Sequence, residues 1–598
     1  MPFQAIAQSS GDIIVTAQRR EQRLQDVSLS ATAFTGDQVA ALGVLDADDI
    51  ADLTPNVTAV NVFGNNLPNF SIRGVGLNSF APNNSSPVAV HVDEVYYGYG
   101  VMLNFALFDI ERVEVLRGPQ GTLYGRNTTG GAISYLSRRP TREFEAGLTV
   151  GFGNFDNLQT EAFISGPLGE NISGRLSGTY RRQWSGPYFN RFLNERHGEV
   201  DQLAFRAQLQ FEPSENVTIN LNIHGGRDRS DLAQYNMLPS GTAPGASPFC
   251  PQLLNGTLRG GEANCIGFIG EQEPDTDPFT AAPGFRPFMR LDQLGGVLTV
   301  NADLGFATLT SVTGYETLDR FVAEDADGFP QIIVDDYYEN NIDQFSQEFR
   351  LAGGNESRFS WLLGAYYLTD TIDSPRFEAK SFFARGIGVN VTSVQDTETF
   401  AVFGQGEWQF APQWRLVAGL RYTWEARSFE ATNNFTTGDP NIITTAPGMP
   451  TTLLASANDR ATFDNISGRL ALEFRPDGNT LLYASVSRGF KSGGFNGNFA
   501  FSNAQFNRFD PENLYAYELG ARLTLVEGRL FWNSAIFYYD YQDIQAVGNF
   551  LTTVGGQPAN LFVLANLADA RTYGAETEIW WRPNRHWDVR LAAGFLDA

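Results

Sequence analysis

Lysine is almost missing from this sequence. Only Lys380 and Lys491 are present, and every other basic side chain is arginine or histidine. Arginine and lysine together number 42 against 67 acidic residues, a formal net charge of −25. A chain so short of positive charge offers no basic face for nucleic acid, so no nucleic-acid partner is expected. Long apolar runs are missing too. No segment reaches the ~18 consecutive apolar residues of a membrane-spanning helix, so a membrane role would require a β-barrel. An apolar signal-peptide core is also absent. Ala5, Ile6 and Ala7 before Gln8 read either as the end of a cleaved leader or as a stray tripeptide. The histidines are four and scattered, at 91, 197, 224 and 586, and give no acid–base constellation. Cysteine occurs twice, as Cys250 and Cys265 in a Gly/Pro/Asn-rich stretch. Zinc would need further ligands, and the nearest histidine in sequence is His224. A disulfide across a loop of ~15 residues, worth ~3 kcal/mol in the chain-entropy account, is the expected reading. It implies an oxidising compartment.

What is abundant is glycine, at 60, and phenylalanine, at 47, in a chain only 42% hydrophobic. Many aromatics with few continuous apolar runs suit a β-protein with two unlike faces. Two regions differ in pattern. Residues 25–140 read as a mixed α/β unit. "TGDQVAAL" is a helix start capped by Thr35 or Asp37, and "LDADDIADL" is a second helix ending before Pro55. The strands "NFSIRG", "PVAVHVDEV", "RVEVLRG" and "GAISYLS" follow. Residues 141–598 alternate with period two between turns. In "WRLVAGLRYTW", Trp414, Leu416, Ala418, Leu420, Tyr422 and Trp424 share one face, and Arg415, Val417, Gly419, Arg421 and Thr423 the other. "ISGRLALEF" repeats the design. Aromatics bracket an apolar band and charges line the opposite face, as in a barrel with lipid outside and water inside. Short connections ("APQW", "RPDGN", "VEG") alternate with long ones near 230–288, 322–336, 372–392, 432–458, 495–508 and 546–559. That asymmetry also fits an outer-membrane barrel. A soluble all-β protein is the alternative.

A resemblance becomes specific at "SIRG" (71–74), "VDEVY" (92–96) and "IERVEVLRGPQGTLYGRNTTGGAIS" (110–134), which look like the plug domain of TonB-dependent outer-membrane receptors. "SRGFKSGGFN" (487–496), "PENLYAYELGARL" (511–523) and "YGAETE" (573–578) resemble the barrel of the same family. The resemblance implies a mixed α/β plug inside an antiparallel membrane β-barrel. It implies that "DIIVTA", the residues Asp12, Ile13, Ile14, Val15, Thr16 and Ala17, is a TonB box, with 12–24 serving as box and linker and 1–11 as a leader remnant. A β-branched segment of this kind can add as a strand to a partner's sheet edge. The alternative is that it is the plug's own first strand. With so few residues ahead of the box, the N-terminal signalling domain of some relatives is not expected. The family's plug–barrel lock falls on Arg73 and Arg117 in the plug and on Glu518 and Glu576 in the barrel. Four independent charges are the alternative.

The function so implied is import of a scarce nutrient across the outer membrane, with a ferric siderophore as the default cargo. TonB, outer-membrane lipid and a small molecule such as a ferric chelate are the expected partners of a monomer without enzymatic activity, cofactor or metal. Carbohydrate or aromatic cargo, and a passive porin, remain open as alternatives. Loop aromatics Phe382, Phe383, Phe435 and Phe499 could stack on cargo or pack the loops. The alternating segments count to about 17 against the family's 22. The chain also ends at Asp597 and Ala598 rather than on an aromatic. The expectation is therefore a fragment lacking roughly five strands, with a gap in the barrel wall.

Overall fold

The computed structural model describes residues 13–598 except 63–66, 78, 80, 106, 237–238, 244–247, 260, 263, 268–276, 333, 355–357, 382–386, 438–450, 555–556 and 585. Asp12, Phe382 and Phe383 lie outside the described residues.

The N-terminal unit is built on a five-stranded sheet. Its order is Ala31–Thr35, Ile110–Arg117, Gly131–Ser137, Val88–Val92, Val95–Tyr97. Every residue of Gly131–Ser137 and Val88–Val92 is buried, because the sheet is covered on both faces and needs no polar side. The helix Gly36–Ala41 starts at Thr35, whose hydroxyl accepts from the Gln38 N–H while the Gln38 side chain accepts from the Thr35 N–H. That reciprocal cap satisfies two donors a helix start leaves free. The second expected helix is instead a 3-10 turn, Ala47–Leu53. Acidic Asp46, Asp48 and Asp49 favour its start, but Pro55 follows too soon for a longer helix.

The rest is one antiparallel sheet of 17 strands, joined in sequence order from Glu145–Gly153 to Trp587–Asp597. Alternation is literal. Along Trp414–Thr437, Trp414, Leu420 and Tyr422 are exposed outward, while Val417, Arg421 and Thr423 are buried inward. On the neighbouring Thr451–Asp477, Ile466, Leu470 and Leu472 face out, and Ser467, Ala471 and Glu473 face in. Trp414 packs on Phe474 at one rim of the apolar band, ring centroids 4.6 Å apart. At the other rim the Tyr422 hydroxyl donates to Asp464. Eight positions separate Trp414 from Tyr422, about 26 Å of strand at ~3.3 Å per residue or about 20 Å of height at a tilt of ~40°, so the two rims bracket most of a lipid-facing band of ~25 Å. Tyr315 with Asp343 and Tyr573 with Asp597 repeat the rim pair around the wall. No helix among the described residues is long and apolar enough to cross a membrane; the strands form the wall instead.

Several long connections are not loops. Ala307–Asp325 pairs with Val334–Gly353 through Asp325 opposite Asp335, and Leu530–Val554 pairs with Gln557–Asn584 through Val554 opposite Gln557. The strands continue well beyond the apolar band as paired hairpins, because pairing satisfies the backbone in water as it does in lipid. Among the described residues, the two outermost strands, Glu145–Gly153 and Trp587–Asp597, each pair on one side only, so the wall is open between them.

Candidate functional site

The N-terminal unit sits inside the curved sheet, and buried ion pairs join the two. Arg73 follows the strand Leu67–Ile72 and takes a left-handed backbone, φ +54°. Such a conformation is uncommon for a residue with a side chain. Its N–H donates to the Asn56 carbonyl at 2.7 Å, which anchors the turn and leaves the side chain directed at the wall. There Nη1 donates to Glu518 at 2.7 Å and to the Tyr539 hydroxyl at 2.7 Å, while Nε and Nη2 fork onto Glu576 at 2.9 and 2.8 Å. The guanidinium also lies 4.0 Å over the Phe537 ring. Arg73 is wholly buried. Burial opposes its charge, but Tyr539, Glu576 and Glu518 more than offset that and hold its pKa well above the ordinary value. Gly118 in "LRGP" has φ +83°, and a Cβ there would stand 2.9 Å from the Tyr539 hydroxyl. Glycine lets the turn approach this cluster.

Arg117 enters the same cluster from the end of Ile110–Arg117. Its Nη2 reaches Glu578 at 2.6 Å and its Nε lies 3.4 Å from Glu576. Arg73, Arg117, Glu518 and Glu576 therefore form one network. Glu578, Tyr539, Asn56, Ser30 and Tyr483 complete it, each donating to or accepting from the four. The sequence reading missed these five. Glu578 carried a signal, since "GAETE" places it on the same strand face as Glu576.

The segment beginning at Ile13 is tucked beneath the plug. Ile14–Val15 pairs antiparallel with Gln22–Arg23. Ile13, Val15 and Ala17 are 3%, 1% and 1% exposed, whereas Ile14 is 40% exposed. The buried members pack with Leu24, Leu116, Leu123, Tyr124 and the wall residues Leu362 and Phe403. Thr16 donates through N–H and hydroxyl to Glu114 at 2.8 and 3.1 Å, and its carbonyl accepts from the Tyr124 hydroxyl at 3.3 Å. Arg19 stacks 4.3 Å over Tyr124. The wall holds the next residues: Arg522 donates to the Val27 and Leu29 carbonyls at 2.8 and 2.6 Å, and Arg475 to Asp26 at 2.7 Å.

Elsewhere a disulfide joins Cys250 and Cys265, Cα atoms 5.4 Å apart. Phe499 packs 4.2 Å from Phe377, and Phe435 6.3 Å from Phe501, so both engage loop and wall aromatics. Tyr97 of the plug meets His224 and Glu316 of the wall in a buried chain of hydrogen bonds, a grouping that no sequence spacing announces. Asp325, Asp327 and Asp335 come within 4.8 Å of one another. Asp325 and Asp327 accept backbone N–H groups from Gly284, Gly328, Phe329 and Val334, which closes the hairpin tip.

A plug sheet wired by arginines into a β-barrel of outer-membrane type is the architecture of a plugged receptor. Comparison agrees. Residues 251–598 match the family described as "TonB dependent receptor-like, beta-barrel", and residues 23–132 match "TonB-dependent Receptor Plug Domain". The chain belongs to the TonB-dependent receptor family, outer-membrane receptors of Gram-negative bacteria that are not enzymes. It is similar to the pesticin receptor of Yersinia pestis, 22% identical over 98% of this chain and 78% of that one. It is 31% identical to the ferripyoverdine receptor of Pseudomonas aeruginosa over 29% of this chain, a match spanning 21% of that protein. Among solved structures, the ferric yersiniabactin uptake receptor of Yersinia pestis superposes with TM-score 0.74 at 18% identity, covering 95% of this chain and 78% of that one.

Proposed function

We propose that the protein is a TonB-dependent importer of a ferric siderophore or similar ferric chelate, working as a monomer in the outer membrane. The observation that carries the reading is the buried placement of Ile13, Val15 and Ala17. A β-branched segment held under the plug by Glu114 and Tyr124 is hidden from a periplasmic partner until something releases it. Once free, it offers main-chain donors and acceptors to the edge of a TonB sheet. In this reading Arg73 and Arg117, held by Glu518, Glu576 and Glu578, lock the plug to the wall. Relatives named for pesticin, ferripyoverdine and ferric yersiniabactin support the class of cargo.

The test is deletion of residues 12–17. Uptake of radiolabelled ferric chelates should be lost while binding to whole cells stays at the parental level. Uptake that survives the deletion would indicate a passive channel. Growth across a panel of ferric chelates, sugars and aromatic acids, with and without the gene, reads the cargo. A response confined to a carbon source would overturn the ferric assignment alone.

A further inference from the structure

A third plug arginine is buried against the wall, far along the sequence from the Arg73 cluster's carboxylates. Arg126 donates from Nη1 to Glu425 at 2.5 Å and from Nη2 to Asp370 at 3.1 Å, both on barrel strands. All three side chains are at most 6% exposed. Glu425 is held on its other oxygen by Arg427 at 2.7 Å and accepts further bonds from Thr399 and Ser492. Asp370 accepts its second bond from the Tyr99 hydroxyl at 2.7 Å. Tyr99 belongs to the apolar cluster that contains Tyr338 and Phe377, with Phe499 packed against it.

Arg126 lies two residues beyond Tyr124, the residue that covers the N-terminal segment. Both are on one closed loop, whose neck is tied by Gly118 N–H to the Gly130 carbonyl and Gln120 N–H to the Thr128 carbonyl, at 2.9 and 3.1 Å. Inside it the helical turn Gly121–Tyr124 and a Thr128-to-Gly125 bond of 2.7 Å leave little slack. Gly125 itself, φ +86°, faces the Arg421 guanidinium, so the loop backbone sits against the wall. A rigid loop bolted at Arg126 fixes the position of Tyr124. Tyr124 in turn bonds the Thr16 carbonyl and stacks on Arg19.

We propose that Arg126 is a positioning residue for TonB coupling: clamped by Glu425 and Asp370, it holds the Tyr124 loop down on the N-terminal segment. Cargo that displaces Tyr99 from Asp370 loosens that clamp and frees the segment. The inference rests on the importer reading, but its test needs neither cargo nor transport. The two cysteines are joined to each other and no free cysteine is present among the described residues. An Ala17→Cys reporter therefore gives one thiol, hidden in the closed state. Maleimide labelling in native membranes, without cargo, should run at least about tenfold faster in Arg126→Ala than in the parent reporter. Tyr99→Phe, which removes a single hydroxyl, should accelerate it about two- to threefold. Arg126→Lys, which keeps the charge and loses the fork, should fall between parent and Ala. Should Arg126→Ala fail to assemble, Tyr99→Phe and Glu425→Gln give the same readout with little change of volume. Parental labelling rates in assembled Arg126→Ala, or in both Tyr99→Phe and Glu425→Gln, overturn the proposal. Absent chelate uptake in the parent would overturn the importer reading and with it the coupling role, while faster labelling of the Arg126→Ala reporter would still show that the clamp holds the segment down.

Discussion

At the scale of single residues, the plug–wall contact is decided by charge that has no water to fall back on. Glu576 faces Arg73 and Arg117 together. Removing it takes the forked partner from Arg73, which keeps only Glu518 and Tyr539, and leaves Arg117 to Glu578; breaking a buried pair from one side costs about 3–5 kcal/mol. Glu576→Ala should therefore lower the stability of the plug by that order, read as a shift in urea-induced exposure of plug tryptic sites. Tyr539→Phe removes one hydrogen bond to a charged group, a loss of about 1.5–3 kcal/mol, and leaves both carboxylates on Arg73. A Glu576→Ala variant no weaker than Tyr539→Phe would show that water reaches the cluster. The four predicted charges were legible because each sits in a motif with few degrees of freedom: "SIRG", "LRGP", "YELG" and "GAETE". Tyr539 was not, since a tyrosine on a barrel strand has the same local pattern whether it meets lipid, lumen or an arginine. Arg126 was quoted within a motif and given no role, because its partners Asp370 and Glu425 are 244 and 299 positions away.

At the scale of elements, period-two alternation identified the strands and failed at their ends. The lipid band imposes alternation, so Trp414 to Trp424 could be read directly. Above the band both faces meet polar surroundings or other loops, and nothing forces alternate residues to be apolar. The extension through Glu324 and Asp325, opposite Asp336 and Asp335, is therefore paired strand written in loop-like residues. Helix length failed for a different reason: Asp46 begins a turn with favourable acids, but Pro55 and the following strand Val57–Val62 leave room only for a 3-10 segment. The Cys250–Cys265 bridge closes an element of its own, with the short helix Pro251–Leu254 inside it. Reduction of the bridge should free this loop without disturbing the wall. Trypsin should then cut after exposed Arg259 several-fold faster, while the heat-modifiable barrel band on a gel is unchanged. Loss of the folded band on reduction would mean that the bridge supports the barrel. In the chain-entropy account the bridge contributes ~3 kcal/mol for a loop of this size, all of it local.

At the scale of the whole molecule, one statement about solvent organises everything else: the outside of the wall is apolar over a limited height, while the inside mixes charged side chains such as Arg421 and Glu473 with apolar ones such as Leu362 and Phe403 that pack on the plug. Ala418 and Leu470 are opposite one another in register. Leu470 is 53% exposed on the outer face. It lies four positions from both Phe474 and Ile466, which pair with Trp414 and Tyr422 at the two rims. It therefore stands near the middle of the band. Asn458 is on the same outer face of the same strand, opposite Glu430, and lies eight positions beyond Ile466. If lipid surrounds the first and water the second, an arginine placed at each should report the difference. Leu470→Arg should cost about 2–4 kcal/mol, the price of a guanidinium near the bilayer midplane. Asn458→Arg should stay within about 0.5 kcal/mol, as surface changes do. The measurement is reversible unfolding in phospholipid vesicles, followed by tryptophan fluorescence, with the two variants compared to the parent. Detergent micelles serve as a second arm, since their looser apolar shell should shrink the Leu470→Arg penalty more than the Asn458→Arg one. Equal costs at the two positions would remove the lipid band, and with it the reason why leucine, phenylalanine and tryptophan are turned outward from this wall.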